Sequence, residues 1–127
     1  LGLAPNVRGI VADCGYSSPK DILRSVIRAM KLPPKSTYWL ARLGARIFGG
    51  FDPEGASAAS AVAHCKVPLL IVHGDADTLV PCSMAHEIYE AASAEKKLLI
   101  VEGAEHGVSF YRDTKAYIDA LDEFFDK

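Results

Sequence analysis

Three short apolar runs constrain this chain more than anything else in it: "GIVA" at 9–12, "PLLIV" at 68–72 and "LLIV" at 98–101. Each is continuous rather than alternating. A strand with apolar side chains at every position must be covered on both faces, and a parallel sheet between helices supplies that cover. The segments between the runs carry helical periodicity. In "SSPKDILRSVIRAM", Ser18 is placed to cap, Pro19 suits the first helical position and Asp21 sits in the first turn. Ile22, Val26 and Met30, joined by Leu23 and Ile27, form an apolar stripe. Pro33 and Pro34 are expected to end that helix.

A second helix is predicted over "STYWLARLGARIF", with Leu40, Leu43 and Ile47 on one face, then a loop over "GGFDPEG" and a short helix in "SAASAVAHC". Ser83 is expected to cap "MAHEIYEAA", turning Met84, Ile88 and Ala92 to the sheet. Asp113 is expected to cap "TKAYIDALDEFF", whose stripe is Tyr117, Leu121, Phe124 and Phe125. Strand, helices, strand, helix, strand, helix is the order of an α/β architecture, with 1–127 as one domain and a helical segment, 19–60, between its first two strands.

A chain of 127 residues suffices for one compact domain. Its net charge of −2 argues against a nucleic-acid binder. No apolar run approaches the roughly 20 residues that span a bilayer, and the opening "LGLAPNVRG" lacks the features of a signal peptide. Cys14, Cys65 and Cys82 form no CxxC and an odd count, which suits a reducing, cytoplasmic setting without disulfides. There is no initiator Met, and the first residues read as a loop running straight into a strand, as though further sequence preceded them.

The chemistry-bearing residues gather at one edge of the expected sheet. "HGDADTLVP" at 73–81 follows the second strand, and "EGAEHG" at 102–107 follows the third. One helical crossover separates them, so both loops should lie at the carboxyl ends of neighbouring strands, about 5 Å apart. Open α/β sheets place ligand sites there. Asp77 and His106 are the candidates: an aspartate beside an imidazole fixes its tautomer and stabilises the imidazolium. Gly103 suits the tight turn that aims His106.

These residues carry a family resemblance. "HGDADTLVP" resembles the H-G-x-x-D-x-x-V-P segment of α/β-hydrolases, "VEGAEH" resembles their G-A-x-H segment, and "VRGIVADCGYSS" resembles the strand and loop after the nucleophile elbow in small bacterial esterase-like and prolyl-oligopeptidase-related hydrolases. The resemblance implies a partial α/β-hydrolase fold with three parallel strands, and makes the helical segment 19–60 a cap-like insertion or lid. It makes Asp77 the triad acid and His106 the general base of a serine hydrolase acting on a small-molecule or peptide acyl bond, with no cofactor and no metal. The family's nucleophile lies in G-x-S-x-G, which occurs nowhere in the chain; Ser17, Ser18, Ser83 and Ser109 all lack the flanking glycines. The serine and the oxyanion-hole amides are therefore expected upstream.

Other readings follow from the same residues. Asp75 is expected to shape its loop and His73 to be a hydrogen-bonded structural residue, while His64 and His86 read as surface or cap residues. His73, Asp75, Asp77 and His106 could instead converge on a metal, but H-x-D-x-D is not a specific ligand spacing. Cys14 and Cys82, near strand ends, read as small buried hydrophobes that could line the site. Tyr38 and Trp39 suit either core or a lid. A non-catalytic module, dimerising or joining an N-terminal half through the free edge of "RGIVAD", is the reading from a different class.

Overall fold

The structure is a computed structural model that describes residues 6–55 and 57–126; the expected opening loop falls largely on residues 1–5, outside them. Three strands form one parallel sheet in the order β1-β2-β3: β1 is Ile10–Asp13, β2 Leu69–Gly74 and β3 Lys96–Val101. Ile10 pairs with Leu69, and Leu69 with Lys96, which sets the register across the sheet.

All six residues of β2 are buried. Alternation along the strand sends them to opposite sides. Leu70 and Val72 pack with Val101, Ala120 and Phe124 under α6 (Thr114–Phe125). Leu69 and Ile71 pack with Ala85, Ile88 and Ala92 of and beside α4 (Ser83–Ala91), and Ala58 and Val62 of α3 (Ala58–Val62) join that layer. The continuous apolar run is thus two interleaved half-runs, one for each helical layer. Burying each large aliphatic contributes about 1.5–3 kcal/mol. The outer strands are less enclosed. β1 alternates between half-buried and exposed, which departs from the expected cover on both faces because it is an edge strand among the described residues.

The segment between β1 and β2 contributes α1 (Pro19–Ala29) and α2 (Pro34–Phe48). Ser18 caps α1 as expected, accepting from the Asp21 amide at 3.1 Å. Several expectations are corrected. Met30 is exposed, because it lies beyond the last turn of α1. α2 begins at Pro34, not Ser36, since proline is at home in a first turn where its missing N–H costs nothing. Leu40, Leu43 and Ile47 face solvent, whereas Tyr38 is buried and Trp39 is 62% exposed. Cys82, not Ser83, holds the N-cap position of α4 and makes no side-chain cap bond. Phe125 is exposed while its neighbour Phe124 is core. A short helix, α5 (Ser109–Arg112), was not foreseen. The three cysteines are free, and among the described residues no helix is long and apolar enough to cross a membrane.

Gly74 is where the fold brings its two carboxyl-end loops together. A Cβ there would lie 2.1 Å from the Ala104 carbonyl oxygen, so only glycine permits this approach. Asp75 N–H donates to Val101 O at 3.2 Å, and Ala76 N–H to Ala104 O at 3.1 Å. Gly44, inside α2, has no atom within 4 Å of its virtual Cβ. Urea denaturation should separate the two. Gly74→Ala is expected to lose about 1–3 kcal/mol or more by overpacking, while Gly44→Ala gains roughly 0.5–1 kcal/mol of helix propensity; equal effects would contradict the close approach.

Candidate active site

Asp77 sits three residues past β2, with its side chain fully buried. Its loop closes on its own carboxylate: Oδ1 accepts from the amides of Leu79 at 2.9 Å and Val80 at 2.8 Å. The other oxygen, Oδ2, lies 2.8 Å from Nδ1 of His106. A carboxylate can only accept, so Nδ1 of His106 carries the proton and its Nε2 is left unprotonated in the neutral ring. Among the described residues no group hydrogen-bonds that Nε2, and the His106 side chain is 41% exposed.

His73 underlies this pair. It is fully buried; its Nε2 lies 3.0 Å from the Val80 carbonyl and 3.3 Å from Asp77 Oδ2. A carbonyl also only accepts, so His73 is the opposite tautomer, protonated on Nε2. Its Nδ1 has no partner among the described residues. The expected structural role stands in part, but the ring also supports Asp77, a link its position at a strand end did not reveal.

The histidine loop is tied at three points. Asp75 Oδ1 accepts from Gly103 N–H at 2.7 Å, the loop-shaping role expected of it. Asp77 holds His106 itself. At the third point Gly107 N–H donates to Cys14 Sγ at 3.2 Å. Gly103 and Gly107 adopt φ of +67° and +71°, a left-handed conformation that lets the chain reverse on both sides of His106. Cys14 also has positive φ, 52°, which is uncommon for a side-chain-bearing residue. Its thiol donates to Asp13 Oδ1 at 3.2 Å, and Tyr117 O–H donates to Asp13 Oδ2 at 3.0 Å. Cys14 is therefore more than a small buried hydrophobe: it fastens the histidine loop to β1. Sequence could place it at a strand end but could not show a bond to a residue 93 positions away.

Burial by itself would raise the Asp77 carboxyl, yet the amide of Val80, His106 and the amide of Leu79 outweigh it and hold the group below its ordinary value. Burial pushes the Cys14 thiol up, the Gly107 amide opposes this, and the carboxylates of Asp13 and Asp77 add to the rise. Burial also raises Cys82, helped by Asp75 and Asp77.

The ligand atoms of Cys14, Asp77 and His106 lie within 4.8 Å of one another, the one such trio among the described residues. Metal ligation would require a thiolate, which that environment disfavours. The alternative set with His73 and Asp75 does not converge, since Asp75 is bound to Gly103 and His73 to Val80. Among the described residues no serine hydrogen-bonds His106: Ser17 O–H donates to Glu87 at 2.5 Å, Ser18 bonds Asp21, and the Ser109 hydroxyl is buried without a partner.

The sign of the Asp77 shift determines its pH behaviour. A carboxyl depressed in the folded state adds stability above its unfolded value near 3.8, and loses it as pH falls through the lower folded value. Thermal melts of wild type and Asp77→Asn should thus differ most at about pH 6 and converge in strong acid. A gap that stays constant down to low pH would contradict an ionised, hydrogen-bonded Asp77.

Residues 25–113 match the family described as serine aminopeptidase, S33. Over 117 residues the chain is 26% identical to the uncharacterized protein YqkD of Bacillus subtilis (strain 168), covering 91% of this chain and 38% of that protein. An α/β fold family hydrolase from Bacillus anthracis str. Sterne superposes with a TM-score of 0.64 at 12% identity, over 93% of this chain and 58% of that one. A Pyrococcus furiosus esterase superposes with a TM-score of 0.59 at 24% identity, over 91% and 42% respectively. The chain thus spans less than two thirds of each of these relatives. With the matched segment covering most of its length and the sheet arranged as in α/β-hydrolases, the chain belongs to the serine aminopeptidase S33 family.

Proposed function

We propose that this chain supplies the acid and the general base of a serine hydrolase that cleaves ester, thioester or peptide-like acyl bonds. The observation that carries the reading is the 2.8 Å contact between Asp77 and Nδ1 of His106, which leaves Nε2 open to solvent. In this mechanism Nε2 takes the proton of a serine hydroxyl as its oxygen adds to the acyl carbon. The imidazolium then gives that proton to the departing oxygen, sulfur or nitrogen. A water deprotonated by the same Nε2 hydrolyses the acyl-serine, and the proton returns to the serine. Asp77 stays ionised throughout, because two amides and one imidazole already satisfy it. The serine and the oxyanion donors come from outside these residues, on a strand that pairs with the outer edge of β1, which bonds to no strand among the described residues.

The test uses a longer protein that contains this chain and is labelled by a fluorophosphonate. Asp77→Asn is expected to lower kcat by about 10⁴-fold for an ester substrate, as loss of the correct tautomer does in triad enzymes, with KM little changed. His106→Ala should abolish labelling, and the 127-residue chain alone should not label. Full labelling of His106→Ala, or an ester turnover within tenfold of wild type in both variants, would overturn the proposal.

A further inference from the structure

Charge in this chain is segregated. Residues 19–48 hold seven of its 14 Lys and Arg but only one of its 16 Asp and Glu, in a molecule of net charge −2. Between them, α1 and α2 line an open cleft of about 540 Å³, within the range of small-ligand pockets. Its walls carry four cations, Arg24, Arg28, Lys35 and Arg42, with Ile27 and the indole of Trp39 as apolar surface. No acidic side chain lines it.

The four cations are not equivalent. Arg42 is neutralised: it makes paired 2.9 Å bonds to Asp52 and a 2.7 Å contact to Glu54. Arg24 lies over the Tyr38 ring at 4.8 Å, and Arg28 donates to a backbone carbonyl. Among the described residues, no carboxylate lies within 4 Å of Arg24, Arg28 or Lys35. Three positive side chains therefore line one cavity without an ion pair among the described residues, although Arg28 also borders a second cleft that holds Asp21 and Glu87. The amino-terminus of α2 opens beside it at Pro34 and Lys35, with no side-chain cap and no acidic residue in its first turn. A helix amino-terminus adds further positive potential there.

The geometry points to a binding site for an amphiphilic anion: a carboxylate or phosphate joined to an acyl or aryl body. The guanidinium forks of Arg24 and Arg28 suit the oxygens of the head group. Trp39 and Ile27 offer the surface on which the body lies. A neutral or cationic molecule of the same size would leave the three charges unopposed. This goes beyond the hydrolytic reading and stands or falls separately from it, because it concerns binding and not turnover.

Trp39 is the only tryptophan, so its fluorescence reports on the cavity directly. Octyl phosphate and octanoate, kept monomeric at low salt, are expected to give a saturable change in emission. Octanol and octyltrimethylammonium should give none, and inorganic phosphate should bind at least tenfold more weakly than octyl phosphate. The double variant Arg24→Gln and Arg28→Gln should weaken both anionic probes tenfold or more. Lys31→Gln together with Lys20→Gln, the same loss of two charges away from the cavity lining, should stay within twofold of wild type. Absence of saturation in the wild type, an equal response to octanol, or inorganic phosphate binding as tightly as octyl phosphate would each overturn the proposal. A response to anionic phospholipid vesicles without one to monomeric octyl phosphate would also overturn it, and would point to a membrane surface instead.

Discussion

Strand β2 has no exposed residue, and the rest of the molecule is arranged around that fact. Leu70 and Val72 require a helix on one side, Leu69 and Ile71 require one on the other, and α6 and α4 meet those needs. Because α1 to α3 return the chain from β1 to β2, and α4 returns it from β2 to β3, the three strands run parallel and their carboxyl ends lie along a single edge. Backbone polar groups that leave such a strand still need partners. At Gly74 they find them in the neighbouring loop, close enough that no side chain fits between.

That enforced proximity produces the acid–histidine pair. Asp77 is buried, which alone would favour its neutral form; two amides and an imidazole make the charged form the stable one. The histidine loop in turn is pinned by Asp75, Asp77 and Cys14, two ties from the loop after β2 and one from the end of β1. A loop held at this many points loses little entropy when its side chain is engaged, and such preorganisation suits an imidazole to serve as a positioned base. The acid–histidine pair lies at the sheet edge, whereas the cationic cavity lies between α1 and α2, so the two are separated along the chain as well.

Much of this was legible beforehand, for identifiable physical reasons. Residues 29 apart with one helix and one strand between them can meet only if the crossover is βαβ-like, and the apolar runs implied that it is; Asp77 and His106 duly meet. The capping of α1 by Ser18 and of α6 by Asp113 is local chemistry, readable from a few residues. What failed was non-local. Helical periodicity marks Leu40, Leu43 and Ile47 as one face of α2 but cannot say what covers that face, and among the described residues they are exposed. The bond from Gly107 to Cys14 joins β1 to the loop after β3, and no pattern within either segment encodes it. His73 could be read as buried, yet its contact with Asp77 depends on how the loop to Val80 folds back over it.

The account rests on the two histidines being opposite tautomers, each set by an acceptor-only oxygen: His106 protonated on Nδ1 by Asp77, His73 on Nε2 by the Val80 carbonyl. Nitrogen-15 NMR of the imidazole rings in histidine-labelled protein, at a pH where His106 is neutral, measures this directly. The account requires a protonated Nδ1 and an unprotonated Nε2 at His106, with the reverse at His73. A His106 ring protonated on Nε2 would mean that Asp77 does not hold it, and the acid–base pair at the centre of this structure would not exist.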